Sequence, residues 1–443
     1  MIVRKMKTLA KNRKTDIVKL RNENVFLNNG GERKLKKLLA LLLAAAMVLG
    51  LTACGNKTDA PAGDDNGGDE KTVVTLKVWA SQEDQEMTKG MIDEFIAANP
   101  DKEWNITLAV VGEPDAKTKY LEDPAAAADV FAFANDQLRD LVGAGALYKV
   151  TRNAEDIKSR NGEGAVGAAT LDGQLYAYPM TADNGYFMYY DNTVFTAEDV
   201  QTLDGMLAAA EAAGKKVFMD VSNGWYIASF FLGNGGSLAI DANGNQTCDF
   251  NNANGLAAAE AIKAFTSHPA FITGDDTVLT AGIQDGTIAA GVSGTWNAES
   301  ISTSLGDRYA ATKLPTFTVA GAQVQMSSFG GYKQIGVNSQ TQFAVEAMDL
   351  ADWLTNEANQ VKRFETRALG PSNVNAAASD AVKANVALAA LSLQSQFAVS
   401  QNDVLGAYWT PAEAFGTTME AKDYSTDLQT LLDTMVAQIT AAQ

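Results

Sequence analysis

Apolar positions beyond Thr72 fall into short blocks that alternate between two periods. "TVVTLKVWA" is short, β-branched and apolar, the pattern of a buried strand. In "EDQEMTKGMIDEFIAANP", Met87, Met91, Phe95 and Ile96 fall near one face of a helix with an acidic start and a proline stop. "NITLAVV" and "ADVFAFA" read as strands, and "NDQLRDLVGAGAL" as a helix. Strand–helix alternation of this kind predicts an α/β fold in which mostly parallel sheets are flanked by helices.

Further along, "TLDGQLYAYPM" holds an Asp-Gly turn signal and a strand ended by Pro179, and "GYFMYYD" is another strand. "KKVFMDV" opens a second α/β series, with helices near Gly255–Thr266 and Thr277–Gln284 and a strand "IAAGVS". "DANGNQTCDF" has a superficial likeness to a calcium loop but lacks the ligand spacing and closing glutamate, so an Asn-Gly hairpin is expected. The last third reads as helices: "QFAVEAMDLADWLTNEANQVKRFE", "AVKANVALAALSL" and "STDLQTLLDTMVAQITAA".

The front of the chain has a different pattern. Arg33, Lys34, Lys36 and Lys37 precede a run of 14 mostly aliphatic residues, Leu38–Leu51. That is short of the ~20 apolar residues that span a bilayer, and charge followed by a short apolar run is the pattern of a secretory signal peptide. Residues 1–53 are therefore expected to be removed. "LTAC" then places Cys54 as in the lipobox of bacterial lipoproteins, where the cysteine carries a diacylglycerol. Gly55–Glu70 has no large apolar residue, and residues 54–71 are read as a lipidated cysteine and flexible tether.

Composition narrows the body. Cleavage before Cys54 leaves 390 residues, which suits two domains. The leader holds 12 of the 35 basic and 3 of the 53 acidic side chains, which leaves 23 and 50, a net charge of −27. Such a body does not seek nucleic acid. Only Cys248 remains besides Cys54, and His268 is the single histidine. No internal disulfide or cysteine-based metal site is possible, and hydrolase or metalloenzyme chemistry is disfavoured. Nothing in the chain asks for a cofactor, and there is no sign of an obligate oligomer, so a monomer is expected.

The order of "LKVWA", "ADVFAFANDQLRDLVGAGALYKVT", "LDGQLYAYPMTADNGYFMYYDNTVF", "FFLGNGG", "GTIAAGVSGTWN", "KLPTF", "FGGYKQIGVN", "ALGPSN" and "GAYWTPA" resembles the extracellular solute-binding proteins of ABC sugar importers, of the maltose/maltodextrin-binding type. The resemblance implies a two-lobed fold whose lobes are joined by a hinge crossed about three times, near Thr181–Gly185, Gln325–Gly330 and Val382–Val386. Lobe 1 would comprise 72–182 plus 330–383, and lobe 2 183–329 plus 384–443. It further implies an oligosaccharide ligand, with α-linked glucans the first expectation. The partners would be the transmembrane permease subunits and, through the lipid anchor, the outer face of the cytoplasmic membrane.

Sugar offers C–H faces that suit flat rings and hydroxyls that need donors and acceptors. Of six tryptophans, Trp353 reads as core, Trp104 as peripheral, and Trp79 as core or cleft floor. Trp225, Trp296 and Trp409 match family stacking positions, and Phe133 matches a fourth where tryptophan is more usual. For polar contacts the resemblance favours Asp183, Asp136 and Glu83, with Asn223 weaker; Asp136 and Glu83 also sit where helix caps belong. Glu413 and Gln137 stand where the family often has basic residues, which bears on which sugar is taken. Asp183 with Glu83 could be imagined as a glycosidase pair, but nothing marks either as a general acid and no enzyme is expected. A cationic solute in an acidic cleft, or a tethered adhesin, are further alternatives.

Overall fold

In the computed structural model, which describes residues 71–441, the strand Val73–Ala80 pairs in parallel with Glu103–Val110, from Val73↔Glu103 to Ala80↔Val110. Cys54, the leader and the tether lie outside the described residues. Every residue of Val130–Ala134 is buried, as a central strand requires, whereas Glu103–Val110 forms an edge and keeps alternate residues exposed. Phe329–Val337 runs antiparallel to Val130–Ala134 on one side and to Ala177–Gly185 on the other. With Val399–Ser400 these strands make a six-stranded sheet.

A second sheet has the order Phe271–Ile272, Lys216–Phe218, Ile288–Ser293, Phe187–Asp191, Tyr309–Thr312. Each sheet has its own apolar core. Leu76, Met91, Phe95, Phe131 and Leu350 pack on the first, and Met188, Val217, Phe230, Val292 and Leu432 on the second. Two lobes result, each a sheet flanked by helices. The sheets are more mixed than the strand–helix alternation implies, because Ala177–Gly185 and Phe329–Val337 in the first, and Phe187–Asp191 in the second, run antiparallel to their neighbours.

Two long helical patterns are each broken in the fold by an asparagine. Ala344–Leu354 and Glu357–Arg367 are separate helices, with the Asn356 side chain accepting from Asn359 N. Asn385 likewise ends Asp380–Ala384 and caps Val386–Ser395 by accepting from Leu388 N. Asparagine is a strong N-cap, so it restarts a helix that apolar periodicity alone would run through. The "DANGNQTCDF" segment is a hairpin: Leu238–Ile240 pairs antiparallel with Gln246–Cys248, and Gly244 takes the positive φ of the turn.

The chain passes from the first sheet to the second between Gly185 and Phe187, leaves the second sheet after Thr312, and returns to the first at Phe329 through the hairpin of Thr316–Val319 and Ala322–Gln325. The helix Val386–Ser395 then packs Ala387 and Ala390 against Phe187 and Tyr189 of the second sheet. Residues beyond 384 are expected to stay with that lobe, yet Val399–Ser400 add to the first sheet beside Phe329–Gly330. A two-residue strand carries no readable period, which is why the pattern misses it.

Candidate functional site

Strand ends of both sheets open onto one cleft of about 650 Å3. Three indoles converge there: Trp225, Trp296 and Trp409 all line it. Trp225 stands in the first turn of the helix Gly224–Gly233, whose cap is Asn223; the Asn223 side chain accepts from Trp225 N at 2.9 Å. The Tyr186 ring meets the Trp225 ring edge-on with centroids 4.6 Å apart, and the Tyr186 hydroxyl donates to Trp225 O at 2.8 Å. The indole is therefore held rather than swinging free.

Trp296 sits in the turn Thr295–Asn297 that follows the fully buried strand Ile288–Ser293. Its Nε1–H donates to Asp276 Oδ2 at 2.9 Å, and its ring lies 5.8 Å from that of Trp225. The Lys333 ammonium stands 5.5 Å from the Trp296 centroid, within cation–π range. A Cβ on Gly294 would fall 1.9 Å from the Trp296 ring, so only glycine leaves room for the indole in this pose. Trp409 opens the helix Trp409–Glu420 and is wedged edge-on against Tyr408.

Beneath the cleft lies a buried charge network. Asp84 is 3.6 Å from Arg363 Nη1 and 3.5 Å from Arg367 Nε, and Lys333 is 3.9 Å from Glu113. Burial alone would lower the Lys333 pKa, but Glu113, Asp183 and Asp84 outweigh it and hold the amine above the usual lysine range. Arg367 also reaches the opposite lobe, donating to Glu299 Oε2 at 2.8 Å and to Trp296 O at 3.3 Å.

Asp136 follows the strand Val130–Ala134, and its Oδ1 accepts from Gln401 Nε2 at 2.7 Å. Burial pushes this carboxyl up to about 7, while the Gln401 N–H and Lys117 pull the other way. A carboxyl raised in the folded chain holds its proton more tightly there than in the unfolded chain. Its stabilisation is therefore complete below the unfolded value of about 4 and is lost as pH rises through about 7. Asp136→Asn is expected to flatten the melting temperature against pH between those limits. An identical curve for variant and parent would contradict it.

Of the other residues expected at the site, Glu83 lines the cleft from the turn Gln82–Asp84, and Asn223 lines it while serving as a cap. Phe133 does not reach the cleft. It is fully buried and packs against Phe131, because Val130–Ala134 is covered on both faces and only its C-terminal end reaches the opening. Asp183 is also displaced from the expected role. It is 1% exposed, and its Oδ2 accepts from Thr295 Oγ1 at 2.7 Å and from Gly370 N at 2.6 Å, so it ties the turn bearing Trp296 to the first lobe. Gln137 and Glu413 both line the cleft, and the Gln137 amide is held by donating to Glu113 O at 2.8 Å.

Sequence reasoning missed Asp276, Lys333, Arg367 and Gln401, all of which line the same opening. Arg367 stands next to the "ALGPSN" motif, and Asp276 opens a helix; both were legible as positions though not as contacts. Among the described residues no helix is long and apolar enough to cross a membrane.

Residues 90–390 match the family model described as bacterial extracellular solute-binding protein. The galactooligosaccharide-binding protein of Bacillus subtilis (strain 168) is 30% identical over 398 residues, 86% of this chain and 91% of the relative. A solved structure with acarbose is 32% identical with a TM-score of 0.76, covering 83% of this chain and 98% of that one. The maltodextrin-binding protein MalE1 from L. casei BL23, solved without ligand, is 26% identical with a TM-score of 0.70, covering 84% of this chain and 100% of that one. These relatives are binding proteins and not enzymes, and this chain belongs to the bacterial extracellular solute-binding family.

Proposed function

We propose that the cleft captures a linear oligosaccharide, with maltooligosaccharides the first choice, and that the lobes close on it and hand it to the transmembrane subunits of an ABC importer. The observation that carries this reading is the convergence of Trp225, Trp296 and Trp409 on one opening that also holds Glu83, Asp136 and Asp276. Indoles offer area to sugar C–H faces at little rotamer cost, and carboxylates accept from hydroxyls. A hexosyl unit has about eleven heavy atoms. Even at the ~30 Å3 that a water molecule occupies per heavy atom, one ring takes no more than about 330 Å3. A cleft of about 650 Å3 thus has room for at least about two rings.

A galactooligosaccharide is the second reading, favoured by the 30% identical relative that is named for that ligand. Glu413, standing where the family often has a basic residue, lines the same cleft. In this reading the hinge lies where Gly185–Phe187 and Gln325–Phe329 pass between the sheets, and Cys54 carries lipid that holds the body at the outer face of the membrane.

Titration with malto-, galacto-, xylo- and manno-oligosaccharides is expected to change tryptophan fluorescence with one of the first two. The same sugar should raise the melting temperature, since ligand at 100 times Kd stabilises by about 2.7 kcal/mol. Silence across the panel at millimolar sugar would remove the oligosaccharide reading. Cys54→Ser is expected to release the protein from membranes, and unchanged partitioning would remove the anchor.

A further inference from the structure

Gln401 is 4% exposed, and both ends of its amide are used, each toward a different lobe. Nε2 donates to Asp136 Oδ1 at 2.7 Å, at the end of a first-sheet strand. Oε1 accepts from Trp225 Nε1 at 2.9 Å, in the first turn of a second-lobe helix. Its backbone is gripped from both sides as well. Val399–Ser400, just before it, pair with Phe329–Gly330 of the first sheet, and the Asn402 side chain accepts from the Asn135 amide. On the other side Leu405 N donates to Gln246 Oε1 at 2.6 Å, and Gln246 Nε2 donates to Asp403 O at 3.3 Å.

The chemistry at the two ends is opposite. A carboxylate needs a donor and an indole N–H needs an acceptor, and a primary amide supplies both from one rigid plane. Because that plane is rigid, both bonds form only at one spacing of the lobes and one orientation of the indole.

We propose that Gln401 is a positioning residue that sets the Trp225 plane and draws the two lobes together before any ligand arrives. The effect on sugar affinity rests on the oligosaccharide reading; the effect on lobe closure does not. Glutamate at 401 would still accept from the indole but would set a second carboxylate against Asp136. The charged groups facing Asp136 are Lys117 and Asp140; Lys117 is already paired with Asp140 at 2.7 Å, and Asp140 carries the same charge as the newcomer.

The test measures two quantities on the purified protein at pH 5 and pH 8. These are the radius of gyration by small-angle X-ray scattering without sugar, and the affinity for maltotetraose and galactotetraose by indole fluorescence. Gln401→Glu is expected to enlarge the sugar-free particle at pH 8 and to weaken the binding sugar about tenfold or more. Both effects should shrink at pH 5, where the two carboxyls can share a proton. Adding Asp136→Asn to Gln401→Glu restores a donor opposite an acceptor and is expected to recover compactness at both pH values. Gln401→Leu, lacking both bonds, should stay expanded at both. The proposal is overturned if Gln401→Glu is as compact as the parent at pH 8, or if the double variant fails to recover compactness. If the parent binds neither sugar, the scattering arm alone decides the proposal and the oligosaccharide reading fails separately.

Discussion

Trp296→Ala is expected to weaken oligosaccharide binding by about 2–4 kcal/mol, or roughly 30- to 1,000-fold, the range for a central aromatic anchor. The indole is only partly buried, yet it touches Trp225, Asp276 and the Lys333 ammonium, so it organises the polar rim as well as supplying a stacking face. Folding should suffer less than the ~3–5 kcal/mol of a fully buried Trp→Ala change, because the second-sheet core lies behind the ring rather than around it. Gly294→Ala gives a sharper version of the same result. The new Cβ would stand 1.9 Å from the ring and force the indole out of its pose without deleting it. Both variants should lose affinity, measured by calorimetric titration, while far-UV dichroism and urea midpoint stay close to the parent. If the two lose stability in step with affinity, Trp296 is a packing residue and not a platform.

Arg363→Met is expected to produce the largest loss of stability among single polar replacements in the first lobe. Arg363 is 2% exposed and stands 3.6 Å from Asp84, which is itself buried. Removing one member of a buried pair costs about 3–5 kcal/mol because the other charge is left without compensation. The lower end applies here, since Arg367 remains 3.5 Å from Asp84. Denaturant unfolding should show the midpoint drop, and adding Asp84→Asn should return a large part of it. A double variant no more stable than Arg363→Met would mean that the loss came from packing of the arginine stem and not from the stranded carboxylate.

The apolar rhythm of the sequence located the strands and helices of both lobes because each buries one face or one whole segment. The family resemblance, not the rhythm, drew Trp225, Trp296 and Trp409 to a single surface. It failed where position along an element, not residue type, decides the environment. Phe133 lies one residue before the end of the strand Val130–Ala134 and is swallowed by the core, whereas Asp136, just beyond that end, opens to the cleft. Asp183 was found as a residue of consequence, but sequence does not tell which partners a strand carboxylate meets; here its Oδ2 is spent on Thr295 and Gly370. Gln401 was invisible for a related reason. Its partners are 265 and 176 residues away in the chain, and its own segment has no periodic pattern.

The repeated threading of backbone between the two sheets, at Gly185–Phe187, at Gln325–Phe329 and again around Val399–Ser400, has a mechanical corollary. A single covalent link would let one half wobble about any axis, while parallel links resist twist and sideways slip and leave one easy rotation. In the closure proposed above the swing would follow a one-dimensional track, and a single ruler, such as one pair of spectroscopic labels across the mouth, would report its full course. Nicking the backbone anywhere from 396 to 398 should loosen that track while leaving each half folded.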